Sequence, residues 1–169
     1  MKRAEKEEIE VKRIEMEITK YCDLLKPKIE ELKKEIEKGK IDISFNKTSA
    51  IPLYFPFPLR EAYTTLKKML IFRESSDYNK ISPQIKKKYE EYLQEAFSVL
   101  REYFGLYQKR AFSNESKDEI FFAQFLLNSL DIIEKNIPLE ICPHLDLDLS
   151  NQDLVYAQYL EWLKKLGKI

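Results

Sequence analysis

Three glycines in 169 residues leave few places where the chain can adopt a positive φ, which argues against a fold built from tight hairpins. Only two cysteines occur, Cys22 and Cys142, far apart and without CxxC spacing, so a reducing, cytoplasmic compartment is the expectation. Histidine occurs once, at His144. No GxSxG, no glycine-rich phosphate loop and no HExxH is present, and three glycines could hardly line a nucleotide cradle. No apolar run approaches the ~18 residues of a membrane span. Residues 1–10 are charged and lack the apolar centre of a signal peptide. These absences predict a non-catalytic, cofactor-free protein that acts by binding other macromolecules.

Charge and apolar residues are both plentiful, at 34% and 44% of the chain, too apolar for disorder and rich enough to bury a core. Net charge is zero but unevenly spread. Residues 60–110 hold eleven Lys or Arg against seven Asp or Glu, whereas residues 113–169 hold five against ten. Such asymmetry suits a chain that meets a polyanion with its middle only. The candidate phosphate contacts there are Arg60, Lys67, Lys68, Lys86, Lys87, Lys88, Arg101, Lys109 and Arg110. Three adjacent lysines on a helix point in different directions, so residues 86–88 make no stripe by themselves. Tyr89, Tyr92, Tyr103 and Tyr107 have base-stacking chemistry, but their helical spacing is also that of core residues.

Periodicity predicts a mainly α fold, a helical bundle with a long N-terminal helix. Val11, Ile14, Ile18, Tyr21, Leu25, Ile29, Leu32 and Ile36 recur in steps of three and four. This narrow seam fits either an intramolecular packing helix or a coiled-coil contact with another subunit, with Ile14, Ile18, Leu25 and Ile29 as its centre. Pro27 within it predicts either a kink or a junction between two helices, and Gly39 marks the end. Residues 41–59 are a break, because Pro52, Pro56 and Pro58 alternate with aromatics and force extended backbone whose rings seek burial. A helix is predicted from 58 to about 72, then a polar loop over 73–80. Ser82 followed by Pro83 predicts the start of another helix, with Gly105 a weak point inside it. Ser116 and Glu119 have capping-box spacing ahead of a helix that is apolar on more than one face.

Pro138 and Pro143 divide the chain into residues 1–137, the helical domain, and residues 138–169, read as either a small C-terminal β-containing module or a closing helix. Leu145, Leu147 and Leu149 alternate with Asp146 and Asp148 as a half-buried strand would. On such a strand Cys142, His144, Asp146 and Asp148 would share one face, but spread over ~20 Å they cannot reach a single ion, so no metal is expected. Tyr156, Tyr159 and Trp162 are rings of the kind that anchor interfaces.

The order of parts resembles one family. A long helix over residues 92–111 ends in a basic turn. Ser116, Lys117, Asp118 and Glu119 begin another helix, and a proline-marked segment runs on to residues 163–169. This is similar to archaeal subunits of the GINS complex. The resemblance implies a helical domain followed by a small β-rich one, in a scaffold subunit that assembles around the replicative helicase and is not an enzyme. Only about thirty residues remain for the second domain here, and the glycine-proline turns expected in it are largely missing. Two functional readings stand: a DNA-replication scaffold with protein partners and weak DNA contact, or a helical nucleic-acid-binding accessory subunit of an RNA-guided defence complex or primase.

Overall fold

The computed structural model describes residues 2–169. Helix α1 spans Arg3–Glu37 without interruption. Pro27 therefore neither ends the helix nor joins two. It removes one N–H, and the carbonyl of Asp23 that would have received it lies on an exposed stretch, within reach of water. The helix stops as predicted at Gly39. With Gly39 at φ +68°, its N–H reaches the Ile36 carbonyl at 3.0 Å and the Lys40 N–H reaches Glu35 at 2.8 Å, satisfying two end carbonyls. Residues 3–9 are exposed on every side, so the first turns of α1 project beyond the bundle.

Residues 41–59 form a short hairpin, with β1 (Ser44–Phe45) antiparallel to β2 (Leu53–Tyr54). The alternation expected of extended backbone is realised in burial. Phe45, Leu53 and Phe55 enter the core, while Ile51, Tyr54 and Phe57 face out. Helix α2 spans Phe57–Arg73, with Pro58 in its first turn, where a missing N–H costs nothing. Two contacts fix it antiparallel to α1: the Tyr21 ring meets Phe72 near the end of α2, and the Lys28 ammonium lies over Phe57 at its start. A 3₁₀ turn over Ser76–Lys80 interrupts the loop that follows.

Helix α3 spans Pro83–Ser113, and the Ser82 side chain accepts from the Ile85 N–H as the sequence predicts. It runs through Gly105 unbroken. Helix α4 spans Lys117–Glu134, but Ser116 makes no side-chain cap, so the capping box read from residues 116–119 does not form. The preceding turn occupies the backbone donor that Glu119 would have reached in such a box. Glu115, at φ +52°, closes α3, and the Ser116 N–H is drawn to the Ala111 carbonyl at 3.0 Å. Helix α1 packs on α2 and α3, and α3 packs on α4. Ile14, Ile18, Leu25 and Ile29 are thereby buried inside the chain's own bundle rather than displayed to another subunit.

The strand expected over residues 145–149 is absent; Pro143–Leu145 is a 3₁₀ turn, and β1 and β2 make the only sheet among the described residues. Leu145, Leu147 and Leu149 are nevertheless buried. The period-two pattern reports burial of an extended segment, not pairing with a neighbour. The tail ends in helix α5, Gln152–Lys165, begun by the Asn151 side chain accepting from Leu154 N–H. Tyr159 and Trp162 pack on Phe125 at ring separations of 5.5 Å each, within the same core cluster as α1. Within residues 138–169 only α5 is an α-helix, and it packs on α4 in the shared core.

Deleting residues 138–169 uncovers Phe122 and Phe125 and is expected to abolish the cooperative melt seen by circular dichroism. Trp162→Ala alone should cost ~3–5 kcal/mol in urea unfolding, the range for a buried ring replaced by a cavity. A truncated chain that melts near the full-length temperature would instead make the tail a separate module.

Candidate functional site

Three of the nine candidate cations hold the fold together. Lys67 donates to Asp146 at 2.6 Å and to the Leu147 carbonyl at 2.9 Å, tying α2 to the tail. Arg101 on α3 bridges Asp131 at 2.9 Å and Glu134 at 2.6 Å on α4. The Arg110 guanidinium bonds the carbonyls of Ile41 and Ile43 and lies over the Tyr107 ring, clamping the chain as it leaves α1. Lys86 rests over the Tyr78 ring at 5.6 Å, while Lys87 and Lys109 are exposed. Lys88 borders a cleft of about 350 Å³ between α1 and α3 that also holds Glu30, Glu91 and Glu95, an unfavourable setting for an anion. Lys86, Lys87 and Lys109 stand too far apart along α3 to act as one patch with the rest; residues 87 and 109 are separated by roughly 33 Å of helix at 1.5 Å per residue.

The other two, Arg60 and Lys68, belong to a different surface. Lys68 borders a groove of about 340 Å³ between α1 and α2, together with Lys20, Tyr21, Leu24, Lys28 and Glu61. At one end of the groove the Phe57 ring is 52% exposed, with the Lys28 ammonium 4.8 Å and the Arg60 guanidinium 5.5 Å from its centroid. Lys20, Lys28, Arg60 and Lys68 take part in none of the ion pairs among the described residues. The Arg60 Nε is shut from solvent and has no hydrogen-bond partner. Lys20, Lys28 and Lys68 line the groove with one carboxylate, Glu61, and Arg60 adjoins it through the Phe57 ring. Lys20 and Lys28 are two helical turns apart on α1, as Arg60 and Lys68 are on α2, so the four mark the corners of a frame roughly 12 Å long. Sequence reasoning had Arg60 and Lys68 but missed Lys20, Lys28 and Phe57. The phase of the buried seam puts Lys20 on the outward face of α1; that α2 lies beside it is a tertiary fact.

The remaining candidates lie elsewhere. Tyr159 and Trp162 are buried and Tyr156 is half-buried, stacked on Phe45 at 6.0 Å. Cys142, His144, Asp146 and Asp148 do not converge, and among the described residues no group of three or more His, Cys, Asp or Glu is placed to hold a metal ion. His144 instead sits 3.2 Å from the Lys165 ammonium, and burial with that neighbouring charge pushes its pKa below the usual value. Burial, helped by Asp23, raises the Cys22 thiol to about 11, leaving it a poor nucleophile near neutral pH. No helix among the described residues is long and apolar enough to cross a membrane. The tyrosines of α3 are interior groups: Tyr89 donates to the Met69 carbonyl at 2.6 Å, and Tyr103 accepts from the Asp42 N–H at 3.1 Å.

Lys67→Ala and Arg110→Ala each strip charged donors from carbonyls or a carboxylate, at an expected cost of ~1.5–3 kcal/mol in chemical denaturation. Lys20→Ala and Lys68→Ala, which break no internal ion pair, should leave stability within about 0.5 kcal/mol of wild type. Equal destabilisation by both sets would show that the groove lysines also hold the fold. No family model, no curated protein and no solved structure matches this chain.

Proposed function

We propose that the protein is a non-catalytic, helical nucleic-acid-binding subunit whose contact surface is the α1–α2 groove. One observation carries this reading: three lysines without carboxylate partners line one groove, and at its end Arg60 joins Lys28 over an exposed aromatic ring. Cations that neutralise each other's partners or bond main-chain carbonyls have no counterions to release, whereas these four do. This is the role of an accessory subunit in an RNA-guided or priming assembly, where backbone contact supplies affinity and other subunits supply chemistry.

The test is the salt dependence of oligonucleotide binding, read by fluorescence anisotropy. The variant Lys20→Ala/Lys28→Ala/Lys68→Ala should weaken binding and flatten the slope of log K against log salt. The change is ~0.7 for each single-strand phosphate no longer neutralised, or ~0.9 for each duplex phosphate. Lys86→Ala/Lys87→Ala/Lys88→Ala should leave the slope nearly unchanged. The reverse pattern would move the interface to the start of α3 and overturn the reading.

The replication-scaffold role implied by the likeness to the GINS family rests on a different feature. Ile9 and Met16 are 55% and 73% exposed, and their spacing of seven lines them up on the face of α1 opposite the buried seam. Apolar residues in such a row favour another helix as neighbour. For a scaffold, sedimentation at high concentration should show association that Met16→Lys abolishes. A monomer at every concentration would leave the row without that role.

A further inference from the structure

Packing turns residue 57 outward, but nothing in the core requires an aromatic ring at that position. Its neighbours in the chain, Phe55, Pro56, Pro58 and Leu59, are all buried, and Phe57 alone turns outward as the first residue of α2. An isolated exposed ring is ordinary on a protein surface. This one has two cations from different helices close to it, neither of which has an ion-pair partner. The first turn of α2 adds to them. Pro56 at the cap position offers no side-chain acceptor, so the free N–H of the turn and the positive end of the helix dipole face the same corner. Tyr54, three residues back, is also exposed, at 46%.

Duplex nucleic acid has little use for such an arrangement. Its bases are stacked on each other and closed to a ring at the protein surface, and phosphate contact alone would leave Phe57 idle. A single strand offers both things at once: unstacked bases with free faces, and a backbone narrow enough to lie between two packed helices. The cation frame suits a backbone running along the groove, with Lys28 and Arg60 at the end that carries the ring and Lys20 and Lys68 about 12 Å farther on at the rise of a helix. Glu61, at the Arg60 end, is the one carboxylate that lines the groove.

Resting on the nucleic-acid reading above, we propose that the α1–α2 groove is a track for single-stranded nucleic acid, in which Lys20, Lys28, Arg60 and Lys68 hold backbone phosphates and Phe57 carries a stacked base. The binding is sequence-tolerant, because every base has a face to stack and nothing in the groove reads base edges.

The experiment compares a labelled oligothymidylate of about a dozen nucleotides, within the usual single-strand site size, with a duplex of the same length. Wild type should prefer the single strand. Phe57→Ala should lower single-strand affinity by ~5- to 150-fold, the range for removing one base–ring stack, with the salt slope intact and duplex affinity unchanged. Phe57→Tyr should restore binding. Phe57→Leu keeps apolar bulk without a π face; it should bind as weakly as Phe57→Ala and guards against a folding defect in that variant. If single-strand binding persists with its salt slope while all three variants match wild type within twofold, the stacking track is wrong and the electrostatic groove stands. If the lysine variants leave the slope untouched, both fall. Binding to phosphatidylserine vesicles in place of either oligonucleotide would overturn both as well.

Discussion

Phe122 sits where four elements meet. Its ring stacks on Phe45 of the hairpin at 5.0 Å, meets Tyr159 of α5 edge-on at 5.1 Å, and lies 6.1 Å from Phe55, 6.0 Å from Phe125 and 6.4 Å from Tyr107 of α3. Rings packed in this way bury large apolar area and add pairwise attraction when offset or edge-on. The hairpin is only two residues a side, too short to hold itself together in water. It persists because Phe45 and Phe55 are locked to α4. The tail is held the same way, through Tyr159 and Trp162. With the ends of residues 41–59 thus pinned, α2 has to begin at Phe57 with Leu59 inward, and the outward turn of Phe57 follows.

The second constraint is the disposal of polar groups around that aromatic centre. Tyr63 and Ser129 satisfy each other at 3.1 Å, Tyr89 and Tyr103 reach main-chain or side-chain partners, and Tyr107 keeps a buried hydroxyl without one. Burial raises the pKa of each of these tyrosines, so they act as neutral hydrogen-bonding rings. Long cations do a similar job at the edges of the core. Arg110 closes off the open carbonyls of Ile41 and Ile43, Lys67 anchors the tail, and Arg101 laces α3 to α4. The basic bias of residues 60–110 is therefore in part a structural requirement. Of the cations these tasks do not use, Lys68 and Arg60 lie where α1 and α2 run side by side, while Lys87, Lys88 and Lys109 stay exposed on α3.

Much of the helical frame could be read from single residues. Ser82 capped α3 as its chemistry demands, Gly39 took the left-handed conformation that closes α1, and the three-four spacing of Ile14, Ile18, Leu25, Ile29 and Leu32 named the buried face. Other signals were ambiguous because one local pattern serves two ends. The Ser116 spacing suited a capping box, but the Glu115 turn had prior use of the Ser116 N–H. The alternation of Leu145, Leu147 and Leu149 marked burial correctly and pairing wrongly, since period two says only which side of an extended chain is covered.

Local chemistry, then, determined by itself where α1 ends and α3 begins, that the fold is mainly α, and which face of α1 is apolar. Capping, backbone entropy and side-chain periodicity act within a few residues, and that information is written contiguously. Tertiary structure alone decided that the seam of α1 meets α2 and α3 of its own chain, that α5 packs on α4, and that Lys67, Arg101 and Arg110 are tied down while Lys20, Lys28 and Lys68 share a groove with Arg60 beside it. A charge on a helix is free or paired according to what lies opposite it, and Lys28 and Arg60 stand 32 positions apart in the chain yet flank one ring.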